Sequence, residues 1–241
     1  MPPQEEQERI GDTLSAYDEL IENNERQIEV LQGVRTAIFK EWFINLRFPN
    51  YLTYETERER ERESRLPDSW QYQKIEEIAI FKKGKKSIKT ENKNGKYPFF
   101  SSSGKSFFKS DEYSCDEDAI LVTDTGKFIL NLYRGKFEAT PECFIISSKE
   151  NKFFYLLAET IKSNLKILEN TAVVTIAKRL RLPKLLELIV IIPCDKILEK
   201  FNNICENIQL KIENLQKNIE RLEKIKNDLF KMIFSRKISI N

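Results

Sequence analysis

Between Ile10 and Ile38 the apolar positions fall at alternating steps of four and three: Ile10, Leu14, Tyr17, Ile21, Ile28, Leu31 and Ile38, with Asn24 the polar member of the series and one longer step before Ile38. A recurrence every 3.5 residues lines one face of a helix and predicts a coiled-coil seam. Asn24 is a device that fixes register at some loss of stability. Gly33, inside the same helix, costs about 1 kcal/mol relative to alanine. The pattern returns at Phe201, Cys205, Ile208, Ile212, Leu215, Ile219, Leu222 and Leu229, each of them 191 residues beyond a position of the first series (201 − 10, 205 − 14 and so on). Any two coiled-coil helices share a period. These two share residues as well: Ile21-Glu22-Asn23 aligns with Ile212-Glu213-Asn214, Phe39-Lys40 with Phe230-Lys231, and Pro2 with Pro193. A duplicated helix is the expectation.

Between the helices the period changes. The run "TYETERERERESR", Thr53 to Arg65, holds no apolar residue except Tyr54 and reads as a charged linker. From Leu66 onward come short β-rich runs, "IEEIAIF", "AILVTDT", "FILNLYR" and "ECFIIS", separated by turn signals such as "NKNGK" and "SSSGK". "FFYLLAETIKSNLKIL", Phe153 to Leu168, reads as a helix, and "LLELIVIIP" as a closing strand. The predicted partition is a first coiled-coil helix over 1–48, a charged linker over 49–65, a domain over 66–193 and a second coiled-coil helix over 194–236. The fold class is α+β, one α+β domain flanked by two long helices that pair as an antiparallel coiled coil.

Composition narrows the chemistry. The chain contains no histidine, so Ser-His-Asp and Cys-His catalysis are excluded, as is a histidine proton shuttle. Cys115, Cys143, Cys194 and Cys205 form no C-x-x-C pair and read as reduced thiols, so neither a metal nor a cofactor is expected. "KKGKKS" around Gly84 fails as a phosphate loop, because Ala79 stands where the upstream glycine belongs and Ser87 lies one place too far along. No apolar run approaches the roughly 18 residues of a membrane span, and "MPPQEEQERI" has no signal-peptide form, so a cytoplasmic location with no membrane contact is expected.

The net charge of +2 hides an asymmetry. Leu66 to Pro193 holds 21 Lys and Arg against 16 Asp and Glu, hence +5, and the rest of the chain holds 19 against 22, hence −3. Lys82 to Lys109 alone carries nine lysines with Glu91 the single acid. Lysines neutralise phosphates and release counterions, and Ser, Thr and Asn reach phosphates or base edges. On charge alone a DNA-binding surface and a solvated lysine-rich face stand level.

A family resemblance adds to this. "PPQEEQERIGDTLSAYDELIENN" and its continuation "IEVLQGVRTAIFKEWF" come first, followed by "LPDSW" with "IEEIAIFKKGK". After them stand "YPFFSSSGKSFFKSDEY", "EDAILVTDTGKFILNLYRGKFEATPECFIIS" and "NTAVVTIAKRLRLPKLLELIVIIP". In that order they resemble the specificity (S) subunit of type I restriction–modification systems, over nearly the whole chain. The resemblance implies that 66–193 is a target recognition domain binding double-stranded DNA. The helices would act as spacer and as docking surface for methyltransferase (modification) subunits and, through them, the restriction subunit. It implies a non-catalytic chain that recognises half of a bipartite site. The family plan has a further recognition domain before the first helix, so this chain resembles the distal part, or a half-subunit form, with self-association or a second S fragment completing it. The second helix opens "PCDKILEKF" where the first has "PPQEEQERI", so its glutamate–glutamine signature is missing.

Chosen by residue type and place, the expected DNA contacts are Lys82, Lys83, Lys85, Lys86, Lys105 and Lys109 for phosphates. Ser101, Ser102, Ser103, Thr123 and Thr125 are expected at bases or phosphates, with Lys127 beside them, and Lys178, Arg179 and Arg181 form a second basic cluster in which an arginine takes guanine. Two other readings stand beside this one: an S-subunit-like assembly scaffold without DNA binding, and a metal-dependent nuclease using Asp116, Asp124 and Glu142.

Overall fold

The computed structural model describes residues 4–50, 66–67, 69–92, 94–102, 108–170 and 178–234. Most of the expected charged linker, and with it Thr53 to Arg65, lies outside them, as do Ser103 and Lys105. The chain divides into two compact units, one formed by Met1–Ile38 with Asn203–Asn241 and the other by Phe39–Asn202. No described helix is long and apolar enough to cross a membrane.

The first unit is built from the long helices α1 (Gln4–Phe39) and α5 (Asp195–Phe234), which run antiparallel. The seam is where the period placed it. Leu14, Tyr17, Ile21, Asn24, Ile28, Leu31 and Ile38 are half-buried among mostly exposed neighbours. In α5 Cys205, Ile208 and Ile212 are buried, while Leu215, Ile219, Leu222 and Leu229 are half-buried. Each series skips one place, and the structure shows what fills it. Arg35 is 2% exposed and donates from Nη1 to Gln209 Oε1 at 2.9 Å. Lys226 pairs with Asp18. Arg35 and Lys226 are separated by 191 residues (226 − 35), and so are Asp18 and Gln209 (209 − 18), so the duplication offset maps one contact onto the other. Two copies of one helix, laid antiparallel, make the same cross-helix contact twice.

In the second unit α1 ends in a π-helical turn, Lys40–Ile44, closed by Asn45 N donating to Lys40 O at 2.8 Å. The turn is followed by Leu46 at φ 57°. Phe43, fully buried, meets Phe201 edge-on with centroids 4.9 Å apart and lies 5.7 Å from the Trp70 ring, which packs tilted against Phe48 with centroids 4.8 Å apart. Aromatic pairs at such spacings add to the area they bury.

The rest is sheet with helices against it. A small antiparallel pair joins β1 (Gln71–Lys74) to β8 (Ile189–Ile192). The main sheet contains β2 (Ala79–Lys83), β3 (Tyr97–Phe100), β4 (Phe108–Ser110), β5 (Cys115–Thr123), β6 (Leu130–Ala139) and β7 (Cys143–Ser148) in the order β2-β7-β5-β6-β3-β4. All neighbours are antiparallel except β3 and β6, where Phe99 faces Glu138 in parallel. Ala119 to Val122 and Phe144 to Ile146 are continuous buried runs, the mark of strands covered on both faces. Helix α3 (Phe154–Asn170) buries Phe154 to Ile161 without a break.

Two strand expectations are corrected. "IEEI" forms a helical turn, α2 (Ile75–Ile78), whose Ile75 and Ile78 are both buried at the i, i+3 spacing of one helix face. "LLELIVIIP" is strand only from Ile189, after the short helix α4 (Leu182–Leu186) with Pro183 in its first turn.

Candidate nucleic-acid interface

Strand β5 ends where Thr123 faces Cys143 of β7, and β2 ends where Lys83 faces Phe144. Past Thr123 the chain turns and returns as β6. Thr123 N donates to Ile129 O at 3.0 Å, its hydroxyl donates to Lys127 O at 2.8 Å, and Ile129 N donates back to that hydroxyl at 2.8 Å. Gly126 takes φ +76°, a backbone conformation glycine adopts without steric penalty.

Asp124 ties this turn to three other segments. Its side chain, 7% exposed, accepts from Lys83 Nζ and from Thr125 Oγ1, the latter at 2.7 Å. Its backbone N donates to Glu142 O at 2.8 Å, and its carbonyl accepts from Leu180 N at 2.7 Å. Gly126 N donates to Lys178 O at 3.1 Å, and Thr125 and Arg179 form an antiparallel bridge. Residues far apart in sequence are thereby laid side by side: half-buried Thr125 and Lys178 with exposed Lys127, Arg179 and Arg181. Lys83 offsets the charge of Asp124, so the cations of the pair of segments are left as its outward character.

The lysine run is different in space from what it is in sequence. Lys83, expected at a phosphate, instead bonds Asp124 and Pro141 O (3.0 Å) and sits 3.9 Å over the Phe144 ring. Lys82 pairs with Glu117 at 3.1 Å and Lys86 with Glu112 at 2.8 Å. The bond from Lys86 draws the Glu112 carboxyl below its usual range, and the same bond raises Lys86. Lys85 and Ser102 are exposed, Lys109 is half-buried on β4, and Ser101 is 6% exposed. Thr123, 2% exposed with its hydroxyl doubly engaged inside the turn, holds the turn's shape. The physical reason is common to Lys82, Lys83 and Lys86: acids remote in sequence, Glu112, Glu117 and Asp124, are folded onto them.

Two features escaped sequence reasoning. Asp124 stood out only as a candidate metal ligand, yet it is the tie of the turn. Tyr97 and Tyr113 pack with ring centroids 4.9 Å apart, Lys136 lies 4.6 Å over Tyr113 and Lys96 5.5 Å over Tyr97. A hydrogen bond with Tyr113 raises the Lys136 amine. Tyr97, Tyr113 and Lys136 lie apart in sequence, and the fold brings them together. Of the nuclease reading's carboxylates, Asp124 and Glu142 lie on segments joined by a backbone hydrogen bond, but Asp116, opposite Lys136, lies near the far end of β5, and among the described residues no three His, Cys, Asp or Glu side chains converge as a metal site.

Comparison with known proteins agrees with this architecture. Residues 67–226 match the family described as the type I restriction modification DNA specificity domain. The type I restriction enzyme MjaIX specificity subunit of Methanocaldococcus jannaschii is 28% identical over 97% of this chain, and the alignment covers 59% of that protein, so the chain spans about three fifths of that relative. The EcoDI specificity subunit of Escherichia coli is 29% identical over 44% of this chain and 24% of its own length. In fold, the crystal structure of a type I restriction–modification S subunit from M. genitalium superposes with a TM-score of 0.63, at 19% identity, over 94% of this chain and 60% of that one. With the repeated helices, the mixed sheet and the match over residues 67–226 in agreement, the chain belongs to the type I restriction modification DNA specificity domain family.

Proposed function

We propose that this chain is a non-catalytic DNA-recognition chain of a type I restriction–modification system, with 66–193 as its target recognition domain. The supporting observation is the bridge between Thr125 and Arg179, which gathers Thr125, Lys127, Lys178, Arg179 and Arg181 at one turn. Arginine and lysine there meet phosphates or guanine, and the hydroxyl meets a base edge. Lys85, Ser102 and Lys109 are secondary contacts in this reading, whereas Lys82, Lys83 and Lys86 act mainly through their acidic partners.

The helices serve as spacer and docking surface. Helix α5, with 40 residues, is about 60 Å long at 1.5 Å per residue, enough for roughly 18 base pairs of duplex at about 3.4 Å each. In this reading the chain recognises half of a bipartite site. Methyltransferase subunits grip the helices, the restriction subunit joins through them, and a second S chain supplies the other half.

The test is duplex binding against salt concentration, with and without methyltransferase subunits. Alanine at Lys127, Lys178, Arg179 or Arg181 is expected to weaken binding and to reduce the salt slope by about one for each phosphate no longer neutralised. Alanine at Lys82 or Lys86 is expected to do less. Absence of salt-dependent DNA affinity under both conditions would leave the assembly scaffold as the better reading.

A further inference from the structure

Thr125 is constrained in a way that sequence does not reveal. A threonine hydroxyl has one proton to donate and two lone pairs to accept with. Here the proton is committed: Thr125 Oγ1 donates to Asp124 Oδ1 at 2.7 Å. Asp124 cannot turn away to release it, because its other oxygen is held by Lys83, which is fixed in turn by Pro141 O and the Phe144 ring. Donating elsewhere would leave a buried carboxylate oxygen without its partner, a loss greater than one contact at a wet interface returns. Outward, the hydroxyl therefore offers lone pairs only.

Across the bridge stands Arg179, whose guanidinium only donates. Side chains directly opposite on an antiparallel pair share a face, with Cβ atoms roughly 5 Å apart. The turn thus presents an acceptor beside a donor.

In the major groove, adenine N6 and cytosine N4 donate, whereas thymine O4, guanine O6 and N7, and adenine N7 accept. We propose that Thr125 is a base-reading residue confined to accepting, which selects the exocyclic amino group of adenine or cytosine in the major groove, with Asp124 as the positioning residue that sets its polarity. The inference rests on the DNA-recognition reading above and adds the chemistry of one contact to it. It also predicts an inversion. With Asp124→Asn, the amide oxygen turns to the Lys83 ammonium and the NH2 faces Thr125. The hydroxyl then accepts internally and its proton points outward, toward thymine O4, guanine O6 or N7, or adenine N7, and away from cytosine, which offers only a donor.

The experiment is selection of bound sites from randomised duplexes by the full chain and by its T125V, T125S and D124N variants, alone and with methyltransferase subunits, each chain checked by circular dichroism. Wild type is expected to require adenine or cytosine at one position. T125V relaxes that position by about tenfold and leaves the others unchanged, T125S keeps the preference, and D124N moves it to bases that present an acceptor, so that cytosine is lost and any adenine retained depends on its N7. A bound-site pattern unaltered in T125V overturns the inference while leaving DNA recognition intact. So does a position that T125V relaxes but where wild type requires guanine or thymine, or a D124N protein that still selects cytosine or whose selection of adenine survives replacement by 7-deazaadenine. If D124N does not fold, T125V and T125S decide. A wild-type chain that selects no sequence, either alone or with methyltransferase subunits, overturns the recognition reading, and this inference with it.

Discussion

Replacing Gln209 by leucine tests whether burial sets the weight of the two symmetry-related contacts. Arg35 is 2% and Gln209 3% exposed, and the bond between them is 2.9 Å long. Leucine keeps the seam apolar but removes an acceptor from a guanidinium that water does not reach. A hydrogen bond to a charged group contributes about 1.5–3 kcal/mol, so a loss of about 2 kcal/mol is expected. At roughly 2–4 °C per kcal/mol for a chain of this size, the melting temperature should fall by about 4–8 °C. R35L/Q209L should recover most of that loss, since an apolar pair of similar volume replaces a buried polar one without desolvation cost. Asp18→Ala is the internal control. Its contact is related to the first by the 191-residue offset, but the Lys226 and Asp18 side chains are 30% and 60% exposed, so its loss should stay below about 1 kcal/mol. Thermal and urea unfolding followed by the helical circular dichroism signal would measure all three. A Q209L chain within about 0.5 kcal/mol of wild type, or a D18A chain as destabilised as Q209L, would refute the reasoning.

Phe43→Ala should cost about 3–5 kcal/mol, because a fully buried ring between Phe201 and Trp70 is deleted. The fluorescence of Trp42 and Trp70, the only tryptophans, should change with it, and an unchanged urea midpoint would count against the cluster's role. Gly84→Ala should lower soluble yield and melting temperature, since an added Cβ would overlap the Ala139 and Thr140 carbonyls, which belong to backbone and cannot swing away. A G84A chain that melts like wild type would show that this approach can relax. Burial pushes the Cys143 thiol up to about 12, so its reactive thiolate is scarce at pH 8 and grows only as the pH nears that value. Iodoacetamide at pH 8 should leave Cys143 unlabelled until urea is added, and mass spectrometry showing rapid labelling of the native chain would contradict its burial.

What sequence revealed and what it hid follow from one distinction. The seam was legible because a 3.5-residue period is a local property, and the duplication because identical residues recur at one offset. Arg35 and Lys226 were hidden, since a cation in an apolar series reads as a gap and its acceptor lies on the other helix. "IEEI" was misread because isoleucine favours strands while the i, i+3 spacing of Ile75 and Ile78 favoured a turn of helix. The acidic start of β5, Cys115 to Asp118, gave no strand signal, and only its pairing with β6 makes it one. The parallel pairing of β3 with β6 has no sequence signature at all. At the interface, the lysine run was counted along the chain, but its charge is set by Glu112, Glu117 and Asp124, which reach it through the fold.

The repeated contact of the long helices has a consequence for direction. The two polar contacts are equidistant from a midpoint between Arg26 and Gln27 on α1, and between Lys217 and Asn218 on α5. A half-turn about that midpoint exchanges the helices and carries one polar contact onto the other, so the spacing of the seam carries no arrow; its direction lies in differences such as Asn24 against Leu215, or buried Arg35 against half-buried Lys226. Anything that grips the pair near its middle meets a partly shared surface either way round, as at Glu22 and Glu213 or Glu29 and Glu220. It can tell one end from the other only where the copies have drifted apart, as at Val30 against Arg221 or Leu20 against Lys211.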